Sequence, residues 1–163
     1  MTTWNVRPVE VANLLNPAFC GEILRLCIKE YSKVSSTAFP YPLTFLVLPI
    51  VLHRKTRECI GERGTMHLHV WLQSHPDVRV GFAERAHELI PFTIESLAFL
   101  LQVRALGITP QGGLAVPGLR RPANIGPPQG EVADCYRKAI LVGRWFARAG
   151  SSSNIYTMWG VKP

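Results

Sequence analysis

The longest apolar run in the chain, Tyr41 to Leu52, is broken only by Pro42, Thr44 and Pro49. It is too short to cross a bilayer, which takes about 20 residues. It therefore reads as a helix buried inside a globular core. Phe39-Pro40-Tyr41-Pro42 enters it in an extended conformation, because a residue before proline avoids the helical region. The helix is then expected over Leu43 to Leu52. Pro49 lies well past the first turn, where it removes a backbone donor and kinks the helix. The alternative is two short segments.

Other elements are arranged around this one. Asn16-Pro17 is a helix start, with asparagine as cap and proline in the first helical position. Phe19, Ile23, Leu26, Cys27 and Tyr31 follow at three- and four-residue spacing. The small polar stretch Ser32 to Ala38 should end that helix. His53 to Thr65 is polar and reads as a loop. Met66 to Gln73 is expected as a short helix and Ser74 to Asp77 as a turn. Val78 to Leu89 suggests a further helix ended by Pro91. Thr93 caps the next, Ile94 to Leu106, with Gly107 as its stop. Ile108 to Val116 reads as a hairpin turning at Gly112-Gly113.

Helix, turn, helix and hairpin in that order outline a winged helix over about 78–116. Pro117 to Gln129 contains four prolines and reads as a linker. Glu131 to Ala149 is amphipathic, with Cys135, Ala139, Val142 and Phe146 in one stripe and Arg137, Arg144 and Arg148 on another face. Gly150 to Ser153 breaks it, and Asn154 to Trp159 makes a last apolar turn. The expected fold is mainly α: a single compact helical domain over 1–116 with a winged-helix-like part. A Pro/Gly-rich linker follows at 117–130. The C-terminal helix and turn, 131–163, then pack on the same domain or on a partner.

The 163 residues suit one domain, and 47% hydrophobic content suffices for a core without staples. Charged residues make up only 18%, below the usual quarter. Either some apolar surface meets partners, or the domain is compact with a rich core. The net charge of +7 favours nucleic acid, anionic lipid or an acidic protein surface. The four cysteines form no CxxC pair, and the N-terminus lacks a basic region followed by an apolar one. Reduced thiols in the cytoplasm, with no membrane association, are expected.

Chemistry-bearing motifs are sparse. His67-Leu68-His69, near Cys59 and His75, is the one metal-like pattern, but on a helix residues two apart point about 200° apart. The only aspartates, Asp77 and Asp134, are isolated, and Glu84 with Glu88 reads as a solvated helix face. Neither a GxSxG elbow nor a GxxxxGK[ST] loop occurs. No catalytic residue, metal or cofactor is expected. The would-be recognition helix Ile94 to Arg104 has one basic residue, and the wing Gln111 to Val116 has no charge. Base readout needs polar donors there, so this module suits protein contact. The basic residues lie elsewhere: Arg54, Lys55 and Arg57, then Arg120, Arg121, Arg137 and Lys138. These are candidates for nucleic-acid or acidic-partner contact, the alternative being a solvated basic face.

Several segments together resemble a known family: Arg7 to Cys20 with its Asn-Pro-Ala-Phe, Tyr41 to His53 with its Tyr-Pro-Leu and Leu-Pro, and Val78 to Arg85. The Gly-Arg-Trp-Phe-Ala of Leu141 to Ala147 and the tail Ile155 to Pro163 complete the set. The chain resembles the middle component of prokaryotic three-component ABC ATPase systems, which are similar to the Lamassu type of anti-phage and anti-plasmid defence. The resemblance implies a non-catalytic adaptor between an SMC- or Rad50-like ATPase and an effector, often a nuclease, with any DNA contact non-specific. The alternative is a stand-alone winged-helix DNA-binding regulator. Partner binding is expected at Arg144, Trp145, Arg148 and Trp159, large amphipathic anchors with basic neighbours. The competing reading has the two tryptophans closing the chain's own core.

Overall fold

Two long helices running side by side frame the molecule. The computed structural model describes residues 15–62, 65–118 and 128–162. Helix α1 (Pro17–Ser35) starts where Asn16-Pro17 predicts: the Asn16 side chain accepts from the Ala18 amide at 2.8 Å. It stops at Ser36, a left-handed residue (φ 59°) whose amide donates to the Ser32 carbonyl. Its buried stripe, including Cys20, Ile23, Cys27 and Tyr31, packs chiefly against α7 (Gly130–Arg148) and then against α6 (Ile90–Gln102).

Contacts advance together along α1 and α7, from Phe19 with Tyr136 through Cys27 with Gly143 to Glu30 with Arg144. The two helices are therefore parallel. A Cβ at Gly143 would lie 2.4 Å from the Cys27 carbonyl oxygen. Only glycine lets the two backbones approach so closely.

The apolar run is central, as its sequence requires. Tyr41–Leu43 makes a 3-10 turn, and α2 (Thr44–Val51) follows with every side chain buried except half-buried Phe45. Pro49 lies inside α2. This helix touches α1, α3, α5, α6 and α7, so its lack of a polar face is satisfied by cover on many sides.

The polar stretch after it is not a loop throughout. Helix α3 (Arg54–Cys59) forms there, and the His53 side chain caps it by accepting from the Thr56 amide. Histidine is an unusual cap, which is why the sequence hid this helix. Next come α4 (Leu68–Ser74), a 3-10 turn at Pro76–Arg79, and α5 (Phe82–Glu88). Gly81 takes a left-handed φ of 63° at the entry to α5. Arg85 reaches back to the Val80 and Val78 carbonyls at 2.7 and 3.0 Å, tying the turn to the helix.

Pro91 does not end a helix. It sits in the first turn of α6, where a missing amide costs nothing. Thr93 is consequently interior to α6, its hydroxyl donating to the Leu89 carbonyl at 3.0 Å. Helix α6 ends at Gln102, short of Leu106: Arg104 is left-handed (φ 57°), and the Ala105 and Leu106 amides fold back to the Leu100 carbonyl. Gly107 opens a strand instead of stopping a helix.

Strand β1 (Gly107–Ile108) pairs antiparallel with β2 (Leu114–Ala115), Gly107 opposite Ala115. The turn uses Gly112 at φ 78°. Leu114 also exchanges two backbone hydrogen bonds of 2.8 Å with Phe39, pinning the hairpin to the body. Helix α8 (Ser152–Trp159) is capped by Ser151 and closed by left-handed Gly160. Its Tyr156 hydroxyl donates to the Pro42 carbonyl at 2.7 Å, and Trp159 stacks on Phe82 at 4.3 Å. The C-terminal helices thus share one core with the described helices that precede them.

Candidate functional site

Helix α7 has two faces with opposite uses of the same residue types. Its inner face carries Cys135, Lys138, Ala139, Val142, Trp145 and Phe146, all buried. Trp145 is 2% exposed, donates its indole N–H to the Met66 carbonyl at 2.8 Å, and lies 4.8 Å from the Trp71 ring. Trp159 is 1% exposed, between Phe82 and Trp71. The expectation that these tryptophans present themselves to a partner is therefore corrected: both close the chain's own core.

Arg57 and Lys138 are corrected in the same way. Arg57 lies almost wholly inside, with Nε 3.0 Å from Asp134, Nη1 2.9 Å from the Val51 carbonyl, and Nη2 paired to Glu131. Lys138 donates to the Ile60 carbonyl at 2.7 Å and to Glu62 at 3.0 Å. These two cations clamp the segment around α3 onto α7. Each brings a long stem that packs among apolar neighbours while its head is neutralised by a carboxylate. They do not face an acidic partner or a phosphate.

The outer face of α7 is different. Arg137, Arg144 and Arg148 follow one another at seven and four residues, so they lie along one side of the helix. Arg137 is exposed and pairs loosely with Asp134 at 3.3 Å. Arg144 is partly exposed and grips Glu30 of α1 at 2.6 Å. Arg148 is exposed. Glu30 also draws Lys33 to 4.0 Å, and Lys29, one turn back on α1, is exposed as well.

Lys29 and Lys33 were not singled out from sequence, although their four-residue spacing opposite the Cys27 and Tyr31 stripe was a signal. Between the basic rows lie half-buried Leu26, Tyr136, Ile140 and Ala147. Burial first, then Glu22, pushes the Tyr136 hydroxyl up from its ordinary pKa.

Of the remaining candidates, Arg54 is exposed and paired with Glu58 at 2.7 Å, and Lys55 is exposed. Arg120 and Arg121 lie outside the described residues. His67 and His69 stack at 5.8 Å. Among the described residues, no three histidine, cysteine, aspartate or glutamate side chains gather to hold a metal. Burial pushes the Cys20 thiol up to about 12 and Cys27 higher still, so both behave as small apolar groups. An open groove beside the hairpin is lined by Pro40, Tyr41, Pro42, Gln111 and Gly113 and offers no ionisable group other than the Tyr41 phenol. No described helix is long and apolar enough to cross a membrane.

No curated protein and no solved structure matches the chain. A family model does, over residues 4–163. The match spans both helices of the parallel pair, the buried run and the C-terminal turn. By that extent the chain belongs to the family described as ABC-three component (ABC-3C) system Middle Component 3.

Proposed function

We propose that the chain is the non-catalytic adaptor of its ABC-three component system. In this reading it bridges an SMC- or Rad50-like ABC ATPase and an effector of nuclease type, and holds the effector in check. The system acts in defence against phages and plasmids in the Lamassu manner, in the cytoplasm. One observation carries the reading: membership of a middle-component family across 4–163. The outer face of α7 supports it, because Arg137, Arg144 and Arg148 stand on a helix whose inner face is anchored throughout the core. A rigid helix with a charged outer face is a suitable platform for docking. DNA contact within the complex is non-specific, through Arg54, Lys55 and the Arg120-Arg121 pair rather than through α6.

Co-expression with the other two subunits, followed by sizing chromatography, tests the bridge. A three-part complex is expected; a chain that elutes as a monomer beside both others refutes the proposal. The purified chain is expected to turn over neither ATP nor DNA. Turnover that tracks the protein and disappears in His69→Ala refutes the non-catalytic reading.

A further inference from the structure

This inference rests on the adaptor reading and gives its docking face an occupant. We infer that the groove between α1 and α7 receives an acidic amphipathic helix of a partner subunit, laid antiparallel to the pair.

Charge is the first support. Lys29 and Lys33 on α1 and Arg137, Arg144 and Arg148 on α7 border the groove. The carboxylate between the two rows, Glu30, has a side chain only 13% exposed and is already engaged by Arg144 and Lys33. It orients those two cations without cancelling the row. The face therefore keeps a net positive charge that an acidic surface complements.

The floor of the groove separates a helix from a nucleic acid. Leu26, Tyr136, Ile140 and Ala147 run along it half-buried. They make an apolar strip flanked by cations, the complement of an amphipathic helix with an apolar stripe and acidic flanks. A phosphate backbone has no apolar face to lay on such a floor.

Polarity follows from the ends. Lys29, Lys33, Arg144 and Arg148 sit toward the C-termini of both helices, while at the opposite end, beside Phe19 and Tyr136, Arg25 is paired with Glu22 and Arg137 with Asp134. Two parallel C-termini also carry partial negative charge, which favours a helix N-terminus beside them. Acidic residues are commonest in a helix's first turn. A partner helix entering with its acidic N-terminal turns at Arg148 and its apolar remainder over Tyr136 satisfies both ends.

The test uses the full chain with the ATPase and effector subunits of its system. Lys33→Glu combined with Arg148→Glu changes two exposed side chains, and circular dichroism checks that the fold is kept. The expected result is an association rate slowed about tenfold or more, with a weaker salt dependence than wild type. Hydrogen exchange of the wild-type complex should protect Leu26–Lys33 and Tyr136–Arg148.

If the complex forms with unchanged rate and its footprint lies elsewhere, the inference is overturned and the adaptor reading stands. If wild type forms no complex with either subunit, the adaptor reading fails and takes the inference with it. If the double variant instead abolishes binding of the isolated chain to a fluorescein-labelled DNA duplex while leaving subunit assembly intact, the groove is a nucleic-acid site and the helix proposal is wrong.

Discussion

The inner and outer faces of α7 carry the same cations and do different work. Inside, Lys138 and the neighbouring Arg57 are enclosed by carbonyls and carboxylates of the α3 region. Outside, Arg137, the residue next to Lys138, and Arg148, ten residues further along the helix, are exposed. A net charge of +7 does not distinguish them; the partner brought by the fold does. The difference also separates two kinds of energy. Removing an inner cation leaves oriented acceptors unmet in a water-poor site, whereas removing an outer one returns a solvated charge to solvent.

The largest test of the inner face is Trp145→Ala. It empties a site bordered by Trp71 and leaves the Met66 carbonyl without its 2.8 Å donor. A loss of about 3–5 kcal/mol is expected in chemical denaturation. A loss below about 1 kcal/mol would place Trp145 at a surface and restore its reading as a partner anchor.

Gly143→Ala comes next. It probes the boundary between the two faces, where α7 meets α1. The new methyl would meet the Cys27 carbonyl at 2.4 Å, a backbone atom that cannot rotate away. The helices must separate, at a cost near the top of the range of about 1–3 kcal/mol for overpacked sites. The groove between α1 and α7 should widen as well, so partner assembly weakens together with stability. A variant as stable as wild type would show that the two helices do not approach this closely in solution.

Lys138→Met against Arg137→Met sharpens the comparison most directly, since the two positions are adjacent. Methionine at 138 keeps the stem's packing and strands the Ile60 carbonyl, at about 1–3 kcal/mol. At 137 the same change should stay within about 0.5 kcal/mol. Equal effects at both positions would erase the distinction between the faces.

How much of this was legible in the sequence depends on the range of the interactions involved. The start of α1, the amphipathic α7, the buried α2 and the hairpin rest on caps, periods and turn residues a few positions apart, and each appears where its signal lies. Pro91 was misread because proline after one helix and proline opening the next are the same local signal. Arg57 and Lys138 were read as exposed because their partners lie more than 70 residues away. The tryptophans were undecidable for the same reason: Trp159 meets Phe82, and Trp145 meets Met66 and Trp71, only once the chain has closed. Three of the segments that carry the family resemblance pack together through described residues, Tyr156 on Pro42 and Trp159 on Phe82.

The smallest expected effect concerns how the inner clamp is held. Arg57 reaches Asp134 and Glu131 from α3, and α3 is capped by His53, whose Nδ1 faces the Thr56 amide and lies 2.7 Å from the Thr56 hydroxyl. A cap that accepts the amide must keep Nδ1 unprotonated. Burial, and then Arg85 and Lys55, lower the His53 pKa below its ordinary value. The folded chain thus resists a proton that the unfolded chain takes up near pH 6.5. Stability from this group is complete above that pH and falls as the pH drops through about 6.5 toward the lowered native value. His53→Asn keeps an accepting cap and removes the titration. Thermal melts at pH 7.5 and pH 5 should show a slightly larger acid loss for wild type than for the variant, with Arg137→Met leaving that difference unchanged. Identical acid losses in wild type and His53→Asn would mean that the cap does not titrate, and that the inner face is held independently of pH.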